Sequence, residues 1–400
     1  MADTLRLAGA LLDDGRRVDV RIADGRIAAI EPAGGGPTGG GPAGETVIDL
    51  GGRLLTPAFV DGHIHLDKTL LGLDWQPHLP GDSIAERIAA EKQLRAGLAV
   101  PLAARAARLI EQVVTFGTTR LRCHVDVDPT IGLSGLHALV ELRERYRTLV
   151  DIELVAFPQS GILAAPGTAE LLDAAVADGA DLVGGLDPAG IDGDVGGHLD
   201  AVFAIAERRG AGIDIHLHDF GLLGSFELRQ IAARTVAAGL QGRVAVSHAF
   251  ALGTIDDDEL AATANTLAAA GVAIMTNGPG TVTMPPVKRL MAHGVTVFAG
   301  SDNIRDAWSP YGNGDMLDRA MLIGYRAGFL ADEELRLAFA MTTTIAAAVT
   351  GSPDHRLESG APADLVALDA PHVPAAVVGR PAGRLVFKRG RLVARDGRPA

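Results

Sequence analysis

The chain has 400 residues, with 36 Lys+Arg against 49 Asp+Glu and a formal charge of −13, which argues against nucleic acid as a partner. A hydrophobic fraction of 48% with 50 glycines and 4% aromatics supplies one large α/β domain and a small one, and excludes general disorder. One cysteine, Cys123, excludes an internal disulfide and a zinc site built on paired cysteines. No signal-peptide pattern and no apolar run of about eighteen residues occurs, so a soluble, unexported, cytoplasmic protein with no membrane partner is expected.

From Thr4 to Glu31, short β-rich runs (LRLAGALL, VDVRIA, RIAAIEP) punctuated by Asp-Gly turns predict a small meander. Pro32 to Gly44 is a Gly/Pro tract with almost nothing to bury, expected as a flexible surface loop. The texture of the amino terminus returns near the carboxyl end in ADLVALD, RLVFKRG and RLVARDG. Residues 1–56 plus 357–400 are therefore expected to form one small β-sandwich, with residues 57–356 inserted as the large domain.

Within the insert, eight β-type runs alternate with helical stretches: 58–65, 120–127, 151–158, 181–186, 212–219, 243–248, 271–277 and 294–302. LHALVELRERYR, FELRQIAARTVAA and DDELAATANTLAAA are the clearest intervening helices, and the acidic run 256–259 reads as the first turn of one of them. Eight such repeats over about 300 residues predict a (β/α)8 TIM-type barrel rather than an open doubly wound sheet.

Polar residues gather at the carboxyl ends of these runs, the face where such barrels carry their sites. His63 and His65 close the first run, His216, His218 and Asp219 the fifth, His248 the sixth and Asp302 the eighth. Residues two apart on a strand point the same way, so each His-x-His pair can aim both imidazoles into the barrel mouth. Twelve histidines in 400 residues give about 0.4 such pairs by chance, and two are present, both at strand ends. Lys68, three residues after His65, is placed to reach a substrate oxygen or, equally, to sit on the surface. His124 and Asp126 read as support or core packing rather than ligands, Asn303, Arg305, Asp306 and Trp308 as pocket lining, and the six histidines at 78, 137, 198, 293, 355 and 372 as solvated or structural.

The segments TPAFVDGHIHLDK, RCHVDVD, ELVAFPQSGI, IDIHLHDFG, VSHAF and AGSDNIRDAWSPYGNGDM together resemble the amidohydrolase superfamily over essentially the whole chain. The likeness is to its cytosine deaminase branch and, within that, to triazine-ring members. The resemblance implies His63, His65, His216 and Asp302 as ligands of one divalent ion, Zn or alternatively Fe(II). It implies His248 beside the metal-bound water and Gln159 on the substrate ring. Cytosine enzymes carry a glutamate three residues after the fifth-strand ligand, whereas this chain has Asp219 there with His218 beside it, the triazine-ring pattern. The fourth run, DLVGGLDPAG, has no lysine to bridge a second ion, and no phosphate- or dinucleotide-binding glycine motif occurs.

The expected activity is hydrolysis of a non-peptide C–N bond in a small aminated N-heterocycle of the pyrimidine or triazine type. Water activated by the metal attacks the ring carbon, and ammonia or an alkylamine leaves. Asp302, His248 and Asp219 are the candidate catalytic groups, with Lys68, Gln159, His218, Asn303 and Trp308 on the substrate. Hydrolysis of a cyclic amide and a non-catalytic barrel scaffold are the alternatives. A homo-oligomer is the expected working form.

Overall fold

The computed structural model describes residues 4–34, 45–78, 81 and 83–400, so most of the Gly/Pro tract read as a loop lies outside the described residues. The amino-terminal meander forms as β1 (Leu5–Leu11), β2 (Arg17–Ala23) and β3 (Arg26–Pro32), each antiparallel to the next. Asp24 and Gly25, with φ of 50° and 75°, make the tight turn between β2 and β3 that Asp-Gly favours. β4 (Thr46–Asp49) runs parallel to β1, and β5 (Leu54–Pro57) leads into the barrel.

The eight expected barrel runs are all strands: β6 (Phe59–Ile64), β7 (Thr118–Asp126), β8 (Asp151–Phe157), β9 (Leu182–Leu186), β10 (Gly212–Leu217), β11 (Val244–His248), β12 (Ala273–Thr276) and β13 (Val297–Ala299). Each pairs in parallel with its successor. A bridge between Ile64 and Asp302, with the Asp302 amide donating to the His63 carbonyl at 2.7 Å, nearly closes the cylinder. β12 and β13 are shorter than their runs because Gly271 (φ 61°) still terminates the preceding helix and Asp302 (φ 60°) has left the extended region. The expected helices are Ser134–Tyr146, Gly221–Ala237 and Asp257–Ala270, the last capped by the Asp256 carboxylate accepting the Glu259 amide at 2.9 Å.

Alternation along β6, β7 and β10 turns Leu121, Cys123, Val125, Ile213, Ile215 and Leu217 into the helix-facing core. It turns His63, Arg122, His124, Asp214 and His216 into the barrel, where they are all buried. The helix Ile84–Ala96 was not expected: its IAERIAAEKQLRA has a weak apolar period and it buries only Ile88 and Glu91. It reaches the barrel mouth through Glu91 and Arg95, whose partners are Asp67 and Lys68 in the loop after β6 and Asp126 at the end of β7.

The chain ends meet as expected. β14 (Leu365–Leu368) pairs antiparallel with β5, and β15 (Arg384–Lys388), β16 (Arg391–Arg395) and β17 (Arg398–Pro399) extend a nine-stranded sheet whose core holds Leu7, Val20, Leu55, Leu365 and Phe387. Two buried cations of β15 lock this sheet to the barrel. Arg384 donates to both oxygens of Asp315 at 2.8 and 2.6 Å, and Lys388 donates to Asp151 and Asp364, each at 2.7 Å. No helix among the described residues is long and apolar enough to cross a membrane.

Candidate active site

At the carboxyl end of the barrel, one atom each of His63, His65, His216 and Asp302 lies within 4.8 Å of the others. His216 Nε2 is 3.4 Å from His65 Nε2, and Asp302 Oδ1 is 3.6 Å from His63 Nε2 and 3.5 Å from His65 Nε2. Burial pushes the His65 imidazole down to about 4 and His216 well below its ordinary value, so both stay neutral with a lone pair to give. Burial opposes the Asp302 charge, but His248, His63 and His65 hold its carboxyl well below the usual carboxylate range.

The orientation of two of these donors, His63 and Asp302, is enforced from behind. His63 Nδ1 meets Ser247 Oγ at 2.8 Å, Ser247 donates to Asp214 at 2.8 Å, and Arg122 holds Asp214 at 3.0 Å. That leaves His63 Nε2 buried, facing the cluster, with no hydrogen-bond partner among the described residues. Asn277 donates to Asp302 Oδ2 at 2.7 Å, leaving Oδ1 for the imidazoles. Neutral imidazoles and a carboxylate, with lone pairs converging and one nitrogen otherwise orphaned, fit a single divalent ion. His124 is wholly buried, stacks on His63 with ring centroids 3.9 Å apart, and with His63 and Asp214 brings ligand-type atoms within 4.8 Å of one another.

His248 flanks the cluster, its ring 5.1 Å from His216 and 5.4 Å from His63. Burial pushes its imidazole well below the ordinary value. It ends β11 with φ 75°, a left-handed conformation that a non-glycine residue adopts only at a cost of order 1–3 kcal/mol. His218 stacks on it at 4.6 Å. Asp187, just past β9, accepts the His218 amide at 2.5 Å and Nδ1 at 2.8 Å, which leaves Nε2 open. Burial would lower the His218 imidazole, but Asp187 raises it.

Asp219 sits one layer further out, with its carboxylate accepting the Gly190 amide at 3.0 Å and facing Glu227. Burial is the main cause raising it, with Asp187 adding to the rise.

Lys68 is not a surface lysine: it is 3% exposed, pairs with Asp126 at 3.1 Å and Glu91 at 3.5 Å, and donates to Gln159 Oε1. Lys68 can only donate, so it turns the Gln159 carbonyl toward itself and the amide nitrogen away. Trp308 Nε1 binds Glu91 at 2.7 Å, and the Lys68 ammonium lies 5.5 Å from the Trp308 ring and 5.4 Å from that of Phe157. Phe157 in turn lies 4.1 Å from the His216 ring. Asn303 donates to Asp306 at 2.6 Å, which makes it part of the loop's internal scaffold, and burial pushes Asp306 up to about 7. Arg305, with φ 46°, ties its amide to the Tyr311 carbonyl in the same loop.

Five of the six histidines set aside as structural have partners, and His78 Nδ1 is buried with none among the described residues. His137 binds Asp178, His198 binds Asp192, His293 binds Asn265, His355 binds the Ala58 carbonyl, and His372 accepts the Ala375 amide.

Asp187, Asp214, Ser247, Asn277, Glu91 and Glu227 were missed. Two of them carried a signal: Asp187 stands at the end of the fourth run, and Asp214 is two residues before His216 and so shares its face.

A model of the amidohydrolase family matches residues 46–399. N-isopropylammelide isopropyl amidohydrolase of a Pseudomonas strain is 32% identical over 357 residues, covering 87% of this chain and 88% of the relative. The crystal structure of N-isopropylammelide isopropylaminohydrolase from Burkholderia multivorans superposes with a TM-score of 0.95 at 42% identity, covering 100% of both chains. That of 5-methylcytosine deaminase from Klebsiella pneumoniae, liganded with 5-fluorocytosine, superposes with a TM-score of 0.85 at 27% identity, covering 98% of this chain and 97% of that one.

Proposed function

This chain belongs to the amidohydrolase family, and from that membership we propose that it removes an exocyclic amino or alkylamino group from a hydroxylated N-heterocycle of the triazine type. It is a hydrolase of carbon–nitrogen bonds. The observation that carries the reading is the convergence of His63, His65, His216 and Asp302 on one point, with His248 and His218 beside it. Three nitrogens and one oxygen suit Zn or Fe(II).

When bound, the ion acidifies a water and supplies the nucleophile for the ring carbon. Asp302, oriented by Asn277 and kept ionised, takes the proton released. An amine leaves a tetrahedral carbon only when protonated, and His218, backed by Asp187, is the group built to hold that proton. Asp219 acts behind this pair. The Gln159 amide nitrogen donates to a ring oxygen or nitrogen, with Lys68 holding the amide in that sense. Phe157 and Trp308 give a planar ring flat apolar walls. The buried free thiol of Cys123 supports a reducing cytoplasm. The exposed Phe220, Leu222, Leu223 and Phe226 support a homo-oligomer.

The test is ammonia and amine release by the metal-analysed protein from cytosine, isocytosine, ammelide, N-alkyl ammelides and creatinine. Bound transition metal and alkylamine release from an N-alkyl ammelide are expected. Ring opening without amine release would instead assign a cyclic amide hydrolase, and no metal with no turnover after Zn, Fe or Mn is supplied would leave a scaffold.

A further inference from the structure

Glu227 is a buried carboxyl near the site for which the reaction above has no use. It lies on the helix Gly221–Ala237, is 0% exposed, and has no Lys or Arg against it among the described residues. Its Oε1 accepts the Ala189 amide at 2.8 Å. Its Oε2 is buried, meets no donor among the described residues, and faces the Asp219 carboxyl. Asp219 in turn accepts the Gly190 amide at 3.0 Å, and the Ile191 amide donates to the Asp187 carbonyl at 2.8 Å. Two carboxyls thus grip consecutive amides of one turn, and the first residue of that turn is the Asp187 that orients His218.

Two ionised carboxylates facing each other, Glu227 wholly and Asp219 half buried and with no Lys or Arg between them among the described residues, repel each other, and a single shared proton turns the repulsion into a hydrogen bond. We propose that Glu227 is a positioning residue that stays protonated, donates to Asp219, and with it clamps the turn from Asp187 to Ile191 so that Asp187 holds His218. The proposal rests on the reading that His218 handles the leaving-group proton.

The surrounding charges agree. From the turn after β9 Glu227 faces Asp187, and from the end of β10 it faces Asp219 with His218 behind it. On the helix's other sides, Arg229 pairs with Glu259, and Arg234 with Asp200. Burial pushes the Glu227 carboxyl up to about 8, and Asp219 and Asp187 push it the same way.

The experiment compares wild type, Glu227→Gln and Glu227→Ala for metal content, kcat, KM and unfolding midpoint across pH 5 to 9. Glutamine mimics the protonated acid, and alanine removes the clamp. Glu227→Ala should keep its metal and its KM and lose kcat about tenfold or more. Glu227→Gln should recover most of that kcat and lack the fall in turnover expected of wild type as pH rises through about 8. A Gln variant as impaired as Ala, or one that keeps the wild-type alkaline fall, overturns the proposal.

The unfolding midpoints separate this failure from failure of the proposed function. A carboxyl raised in the folded state favours folding at low pH and loses that contribution as pH rises from its ordinary value through its folded one. Wild type should therefore lose stability relative to Glu227→Gln between about pH 5 and 8, whatever the substrate. No such divergence overturns the proposal even in an active enzyme.

Discussion

His63 is held from behind as firmly as it is aimed forward. The line Arg122–Asp214–Ser247–His63 runs through the barrel interior as successive hydrogen bonds, and each member is wholly or almost wholly buried. Its effect is to assign Nδ1 to the protein and to leave Nε2 free for the proposed ion. Ser247→Ala should leave the fold intact and weaken metal affinity about 10–100-fold, read by competition with a chelator. Equal affinity in the variant would reduce Ser247 to packing.

Among elements, the seam between β6 and β13 and the loops above β8 and β9 decide whether the site holds its shape. A Cβ on Gly300 would lie 2.5 Å from His63 Cβ and 2.7 Å from the His63 backbone oxygen, so the strands approach there only because the residue is glycine. Gly300→Ala should destabilise the protein by about 1–3 kcal/mol or more and loosen the proposed metal, because the displaced segment carries His63 and His65, two of its proposed ligands. A denaturant titration with wild-type midpoint and full metal content would refute this.

Above the strands, Asp192 joins two loops by accepting the Ile162 amide at 3.1 Å, the Ala164 amide at 3.0 Å and His198 Nδ1 at 2.7 Å. Burial opposes its charge, but His198 and these amides hold its carboxyl down at about 2. A depressed carboxyl contributes stability above its ordinary value and loses it as pH falls through the folded one. Wild type should be more stable than Asp192→Asn above about pH 4, and the two should converge between pH 4 and 2. A gap independent of pH would mean that the carboxylate charge plays no part.

For the molecule as a whole, the sheet of the two chain ends is fastened to the barrel by buried charge as well as by apolar packing. Lys388, 2% exposed, spans from Asp364 in the sheet to Asp151 at the start of β8 and also donates to the Thr119 carbonyl at 3.1 Å. Lys388→Met removes the cation and leaves buried carboxylate behind, which costs about 3–5 kcal/mol when one partner of such a pair is deleted. The unfolding free energy should fall by about that amount, and a fall under about 1 kcal/mol would show the carboxylates to be adequately solvated without it.

The alternation of apolar and polar residues was enough to count the eight barrel strands, to join the chain ends in one sheet, and to bring His63, His65, His216 and Asp302 to one face. The reason is that the period of two and the carboxyl-end rule are local: they relate neighbours on a strand. The helix Ile84–Ala96 escaped because its apolar stripe is thin, and its inward glutamate finds a reason only opposite Lys68. Lys68 stood equally as surface or site until the fold surrounded it with carboxylates. Asp187 and Asp214 carried a positional signal on their runs but no partner, and Ser247, on a strand, and Glu227, on a helix, are marked by nothing in their own segments. Their roles exist only where the closed barrel sets side chains far apart in sequence within hydrogen-bond distance, which is a property of the tertiary structure alone.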